Sequence, residues 1–144
     1  MLTSHDVLAR LLVATLAGAV LGFDREIQQK PAGLRTLALV SLGSALFTTF
    51  SLTYQGPVPA DPFRVVQGVI TGIGFLGAGV ILHRGDSAAV SGVTTAASIW
   101  IAAAMGIGCG LGRWFETLTG LGLAMVVLVV VRGLESQLRT RGKR

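Results

Sequence analysis

Residues 21–40 read LGFDREIQQKPAGLRTLALV, where an apolar run gives way to Asp24, Arg25 and Glu26, passes Pro31 and Gly33, meets Arg35 and turns apolar again. Charges set so tightly between apolar segments belong either to a polar turn joining two membrane spans or to a site at a membrane surface. The rest of the chain fixes the setting. Of 144 residues, 13% are charged, 51% are hydrophobic and 20 are glycine, and the mean hydropathy is +0.70. A soluble domain carries about 25% charged residues. Apolar runs at residues 7–23, 34–54, 65–82, 93–111 and 117–131 approach the ~20 residues a helix needs to cross the hydrocarbon core. The fold class is therefore an all-α, polytopic membrane helical bundle of about five transmembrane helices. Residues 1–131 make the bundle and residues 132–144 a short basic cytoplasmic tail.

Punctuation agrees with this division. All four prolines, Pro31, Pro57, Pro59 and Pro62, fall between the runs, where they end or begin helices without interrupting one. Thr3 and Asp6 have capping-box spacing ahead of the first run. That run lacks the basic leader and small-residue cleavage site of a signal peptide, so it reads as a retained span.

Several function classes find no material. Cys109 is the single cysteine, and His5 and His83 fall on separate loops, which leaves nothing for a thiol metal cluster or a Cys/His nucleophile. GIGFLG, at residues 72–77, lies inside a span and follows no strand, so it is not a nucleotide loop. No enzymatic activity and no cofactor are expected. The net charge of +5 is distributed along span ends and over residues 132–144. That is membrane-orienting charge, and no nucleic-acid partner is expected.

With five spans the termini lie on opposite sides. Arg25, Lys30, Arg35, Arg84, Arg132, Arg139, Arg141, Lys143 and Arg144 fall on one side, and Arg10, Arg64 and Arg113 on the other. The positive-inside rule then places the N-terminus outside and the C-terminus in the cytoplasm. Trp114 suits an outer interfacial anchor.

Helices in lipid associate through close packing at small residues. Ala14, Gly18 and Gly22 share one face of the first span. In the third, Gly68, Gly72 and Gly79 share a face while Gly74 and Gly77 lie on roughly the other, which predicts a central helix packed from two sides. The fourth span ends in Gly106, Gly108, Gly110 and Gly112, with two overlapping GxxxG patterns. The fifth, rich in leucine and valine, is expected to face lipid. Bundle packing accounts for these glycines; the alternative is unwound backbone that binds an ion or solute, and no mid-span acid or proline supports it. GLRT at 33–36 and GVTT at 92–95 open the second and fourth spans alike, as two parallel helical hairpins plus a fifth helix would.

Charged groups at mid-span cost roughly 2.5–3.5 kcal/mol each, so the cluster at residues 24–35 belongs at the interface. Arg35 sits near a helix N-terminus, where the dipole disfavours a cation, and pairing with Asp24 or Glu26 is expected. Two readings stand: topogenic charge with wet neighbours, or a paired cluster offering a polar surface to a ligand or partner. Asp24 and Glu26 are weak candidates for Mg²⁺, since Arg25 and Arg35 already neutralise them. In the second cytoplasmic loop Asp86 is a further acid, Ser91 a candidate cap, and Thr94 and Thr95 are expected to bond back to their helix.

Taken together, GFDREIQQKPAGLRTLALVSLGSALF, GVITGIGFLGAGVIL and VSGVTTAASIWIAAAMGIGCG resemble, in order and over about residues 7–131, the MgtC/SapB family of bacterial inner-membrane proteins. The resemblance implies a small multi-span bundle with a role in adaptation to magnesium limitation and, in pathogens, survival inside host cells. It implies contacts with other membrane proteins, notably the F-type ATP synthase, although members are also labelled magnesium transporters. The family's charged motif maps onto Asp24, Arg25, Glu26 and Arg35, followed by Thr36, and favours reading the cluster as a site. Asp24 stands where the motif more often has glutamate. Longer relatives carry a soluble C-terminal domain that the residues after 131 are too few to form. The glycine faces make a homodimer a further expectation, and the leading alternative is a carrier or channel for Mg²⁺ or another small ion.

Overall fold

The computed structural model describes residues 2–56, 61–82 and 92–133, and these form five helices with no strand among them. They are α1 (Ser4–Ile27), α2 (Leu34–Thr53), α3 (Pro62–Leu82), α4 (Val93–Leu111) and α5 (Trp114–Val126), the last continuing as a wider π-helical turn over Val127–Val131. Each of the five spans is long and apolar enough to cross a membrane. At 1.5 Å per residue, 20 residues cover about 30 Å, the hydrocarbon thickness. The side chains that face outward fit that solvent: Phe63, Phe75, Phe115, Leu118 and Leu123 are exposed.

Local sequence explains where the helices start and stop. Thr3 caps α1, its hydroxyl accepting from the Asp6 N–H while the Asp6 carboxylate accepts from the Thr3 N–H at 3.0 Å. This is the expected capping box. The helix runs past the apolar run to Ile27, so Asp24, Arg25 and Glu26 are helical, forming its last turn. Between α1 and α2 the chain reverses through Gln29 and Ala32, both left-handed at φ 53° and 56°. Non-glycine residues there cost roughly 1–2 kcal/mol each, so the elbow is held by its surroundings.

Small residues decide the packing order. A side chain at Gly18 would strike the backbone of Ala38 and the Ser41 Cβ, and one at Gly22 would strike Gly33 and Leu34. Thus α1 and α2 meet almost backbone to backbone, and Ser41 donates to the Ala14 carbonyl across that seam at 2.7 Å. Further along the same face of α2, Gly106 and Gly110 of α4 lie against Ser44 and Thr48. α4 contacts all four other helices.

The central helix is therefore α4, not α3. Over half of the α4 span, 56%, is buried, against 11% for α3. Gly68, Gly72, Gly74 and Gly79 face open space, and only at Gly77 of the expected set in α3 would an added Cβ meet a neighbour, the Ala96 Cβ at 3.5 Å. The physical reason lies in distribution. α4 has Ala96, Ser98, Ala102, Ala103, Gly106 and Gly110 along a broad buried face that neighbours can approach closely, with Val93 and Trp100 on its exposed side, whereas α3 keeps Phe63, Phe75 and Leu76 exposed and buries little. α5 is the most lipid-exposed span, with 6% buried, as its leucine and valine content implied.

Candidate functional site

One end of the bundle gathers the C-terminus of α1, the N-termini of α2 and α4, and the π-helical end of α5. The last turn of α1 is where they are tied together, because its three consecutive charges diverge by about 100° each and reach three different helices.

Glu26 goes to α2. Its carboxylate accepts from the Leu34 N–H at 3.1 Å, satisfying one of the donors a helix start leaves open and placing negative charge at the positive end of the dipole. Gly33 permits this approach, since a Cβ there would occupy the Glu26 carboxylate position. Asp24, half-buried, goes to α5. It accepts from the Gln28 amide at 2.5 Å and pairs with Arg132 at 3.4 Å.

Arg25 goes to α4, and it is the unusual member. The side chain is buried, 3% exposed, continuing the buried line of Ala14, Ala17, Gly18, Leu21 and Gly22 along α1. One terminal nitrogen, Nη2, donates to the Thr95 hydroxyl in the first turn of α4. Its Nε–H is buried with no acceptor among the described residues. No carboxylate there bonds to the guanidinium either, since the two neighbouring acids are engaged elsewhere. Burying a cation to which no described carboxylate bonds costs several kcal/mol, offset in part by the charge of the adjacent Asp24, and this one faces the N-terminus of a helix, whose dipole opposes it. Gly92 begins that helix with φ 91°, a conformation suited to glycine, and it brings no side-chain cap.

Arg35 and Thr36 are exposed, and neither bonds to another described residue. The expected pairing of Arg35 with Asp24 or Glu26 is therefore not formed. Glu26 gains more from backbone N–H groups of the facing helix start, while position 35 falls on the outer side of α2. Asp24 and Glu26 turn to separate partners and do not converge as a cation site would require, and no cluster of three metal-ligating side chains occurs among the described residues. Two participants escaped the sequence reading. Thr95, expected to bond back to its own helix, instead receives Arg25; the GLRT and GVTT echo marks its position, but its contact spans 70 residues. Arg132 registered only as topogenic charge. Asp86 and Ser91 lie outside the described residues.

The opposite end is arranged differently. Arg10 of α1 donates to the Gly110 carbonyl at 2.5 Å, at the C-terminus of α4, where a cation is favoured. Arg113 and Glu116 form an exposed ion pair.

Comparison with known proteins finds the MgtC family matching residues 11–137. Protein SrpB of Synechococcus elongatus is 47% identical over 128 residues, covering 76% of this chain and 70% of that protein. Protein MgtC of Salmonella typhimurium is 41% identical over 122 residues, covering 85% and 51%. Protein SapB of Bacillus subtilis is 37% identical over 143 residues, covering 95% and 60%. The chain thus spans a little over half the length of the MgtC and SapB relatives. No solved structure matches.

Proposed function

The chain belongs to the MgtC family, and from that premise we propose that it is a non-enzymatic, multi-pass protein of the bacterial inner membrane that serves adaptation to magnesium limitation through contacts with a partner membrane protein. The F-type ATP synthase is one candidate partner and a second copy of the chain another. The charged end faces the cytoplasm, with the N-terminus outside.

The observation that supports this reading is where the polar groups lie. Asp24, Arg25, Glu26, Arg35 and Arg132 collect at one end, and Arg10, Arg113 and Glu116 at the other. Between them the hydroxyls of Thr15, Ser44, Thr48, Thr49 and Ser98 each donate to a carbonyl one turn earlier in their own helix. These hydroxyl protons are spent on backbone. A groove of about 630 Å³ between α2 and α3 is walled by Leu39, Phe47, Val65, Gly68, Gly72 and Leu76, a surface for apolar contact and not for a hydrated cation.

Mg²⁺ and proton flux into proteoliposomes separates this from the carrier alternative. Wild-type protein is expected to show flux no greater than empty liposomes. Robust flux that Arg35→Ala abolishes would overturn the regulator reading.

A further inference from the structure

We propose that Arg25, Thr95 and the first turn of α4 form a binding site for a phosphate-type oxyanion. The argument begins with the guanidinium. Nε and Nη2 share one edge of that planar group, the edge that grips two oxygens of a carboxylate or phosphate side by side. Here Nη2 is held by the Thr95 hydroxyl, while the Nε proton meets no acceptor although it is buried. Thr95 accepts from the arginine, and its own hydroxyl proton has no acceptor among the described residues, which leaves it able to meet a further one. An oxyanion placed there takes the Nε proton through one oxygen and the Thr95 proton through another.

The helix start supplies the second attraction. The N-terminus of α4 carries roughly half a positive charge, and Gly92 offers it no side-chain cap. The contrast with α2 is informative: that start has the Glu26 carboxylate on its Leu34 N–H, whereas the start of α4 faces a cation. Two positive features brought together repel unless negative charge lies close to both, and phosphate binding at helix N-termini uses this combination. Asp24 attracts the guanidinium from the adjacent position, but its carboxylate bonds to Gln28 and Arg132 and leaves Nε without an acceptor.

Beside these residues a crevice of about 340 Å³ between α1, α4 and α5 is lined by Leu21, Thr94, Ser98, Leu123, Val127 and Leu128. Leu21 is one turn before Arg25, and Thr94 adjoins Thr95. The oxyanion can thus be the headgroup of a phospholipid whose chain lies in the crevice, or a soluble phosphate from the aqueous side; both present the same oxygens to the same donors.

The test is thermal unfolding of the purified full chain in two series. In non-ionic detergent, inorganic phosphate is titrated against chloride at constant ionic strength; in nanodiscs, phosphatidylglycerol is titrated into phosphatidylcholine. A saturable rise in melting temperature in the first series identifies soluble phosphate as a ligand, and a rise confined to the second identifies the lipid headgroup. In either case Arg25→Gln and Thr95→Val are expected to weaken half-saturation at least tenfold, and Lys30→Gln, which removes an exposed charge at the same end, to leave it within twofold. Thr95→Val keeps the shape of the buried residue and carries the test if Arg25→Gln does not fold. No saturable rise in either series overturns the proposal. So does an equal loss from Lys30→Gln, which would mark diffuse charge in place of a site.

Discussion

α1 sends an arginine to each end of α4, and the two ends treat it in opposite ways. Arg10 meets the Gly110 carbonyl at the C-terminus, where orphan acceptors and the negative end of the dipole reward a cation. Arg25 meets the N-terminus, with a threonine hydroxyl for one nitrogen and no acceptor for Nε among the described residues. The first arrangement is explained by stability alone. The second is not, and unrewarded burial of charge is where function is most economically sought. The same chain therefore shows, some 15 residues apart on one helix, what a structural arginine and a candidate functional arginine look like.

The largest expected effect comes from moving the platform that holds Arg25. Gly22→Val would drive a side chain into Gly33 and Leu34, separating α1 from α2 and misplacing all three charges of the last turn. A loss of about 3 kcal/mol or more is expected, measured as a drop in melting temperature in detergent, with little folded protein recovered. Next, Arg10→Met should destabilise by about 2 kcal/mol, since a charge-assisted bond to otherwise open carbonyls is lost. Arg25→Met should do the reverse, leaving stability unchanged or raising it by about 1 kcal/mol in the absence of a ligand, because an apolar side chain replaces a buried charge to which no described carboxylate bonds. Equal destabilisation by both methionine variants would erase the distinction between the two ends. Smallest is Glu26→Gln, which keeps an acceptor for the Leu34 N–H but removes the charge that complements the helix start. A loss of about 0.5 kcal/mol is expected, shrinking as salt is raised.

Much of this architecture was open to a reading of the chain. Five spans follow from run length, and the Gly18 and Gly22 face follows from spacing, because a close approach needs small residues at intervals of four. The place of α3 did not follow. Spacing shows that Gly68 and Gly72 permit a neighbour but not that one arrives, and the choice depended on the broad face of small residues that α4 offers. The charged end was found but wired wrongly. Sequence proximity favours joining Asp24 or Glu26 to Arg35, whereas consecutive helical positions must point apart, so that one turn reaches α2, α4 and α5 separately. Thr95 was hidden for the same reason: only the fold brings it beside Arg25.

Growth at low magnesium of bacteria lacking their own relative, complemented with wild type or Arg25→Met, bears most directly on whether the charged end carries the function. With membrane levels of both proteins quantified, Arg25→Met should accumulate at least as well as wild type and fail to restore growth. Restoration to the wild-type rate by that variant would contradict a functional role for Arg25 and leave its burial a matter of structure.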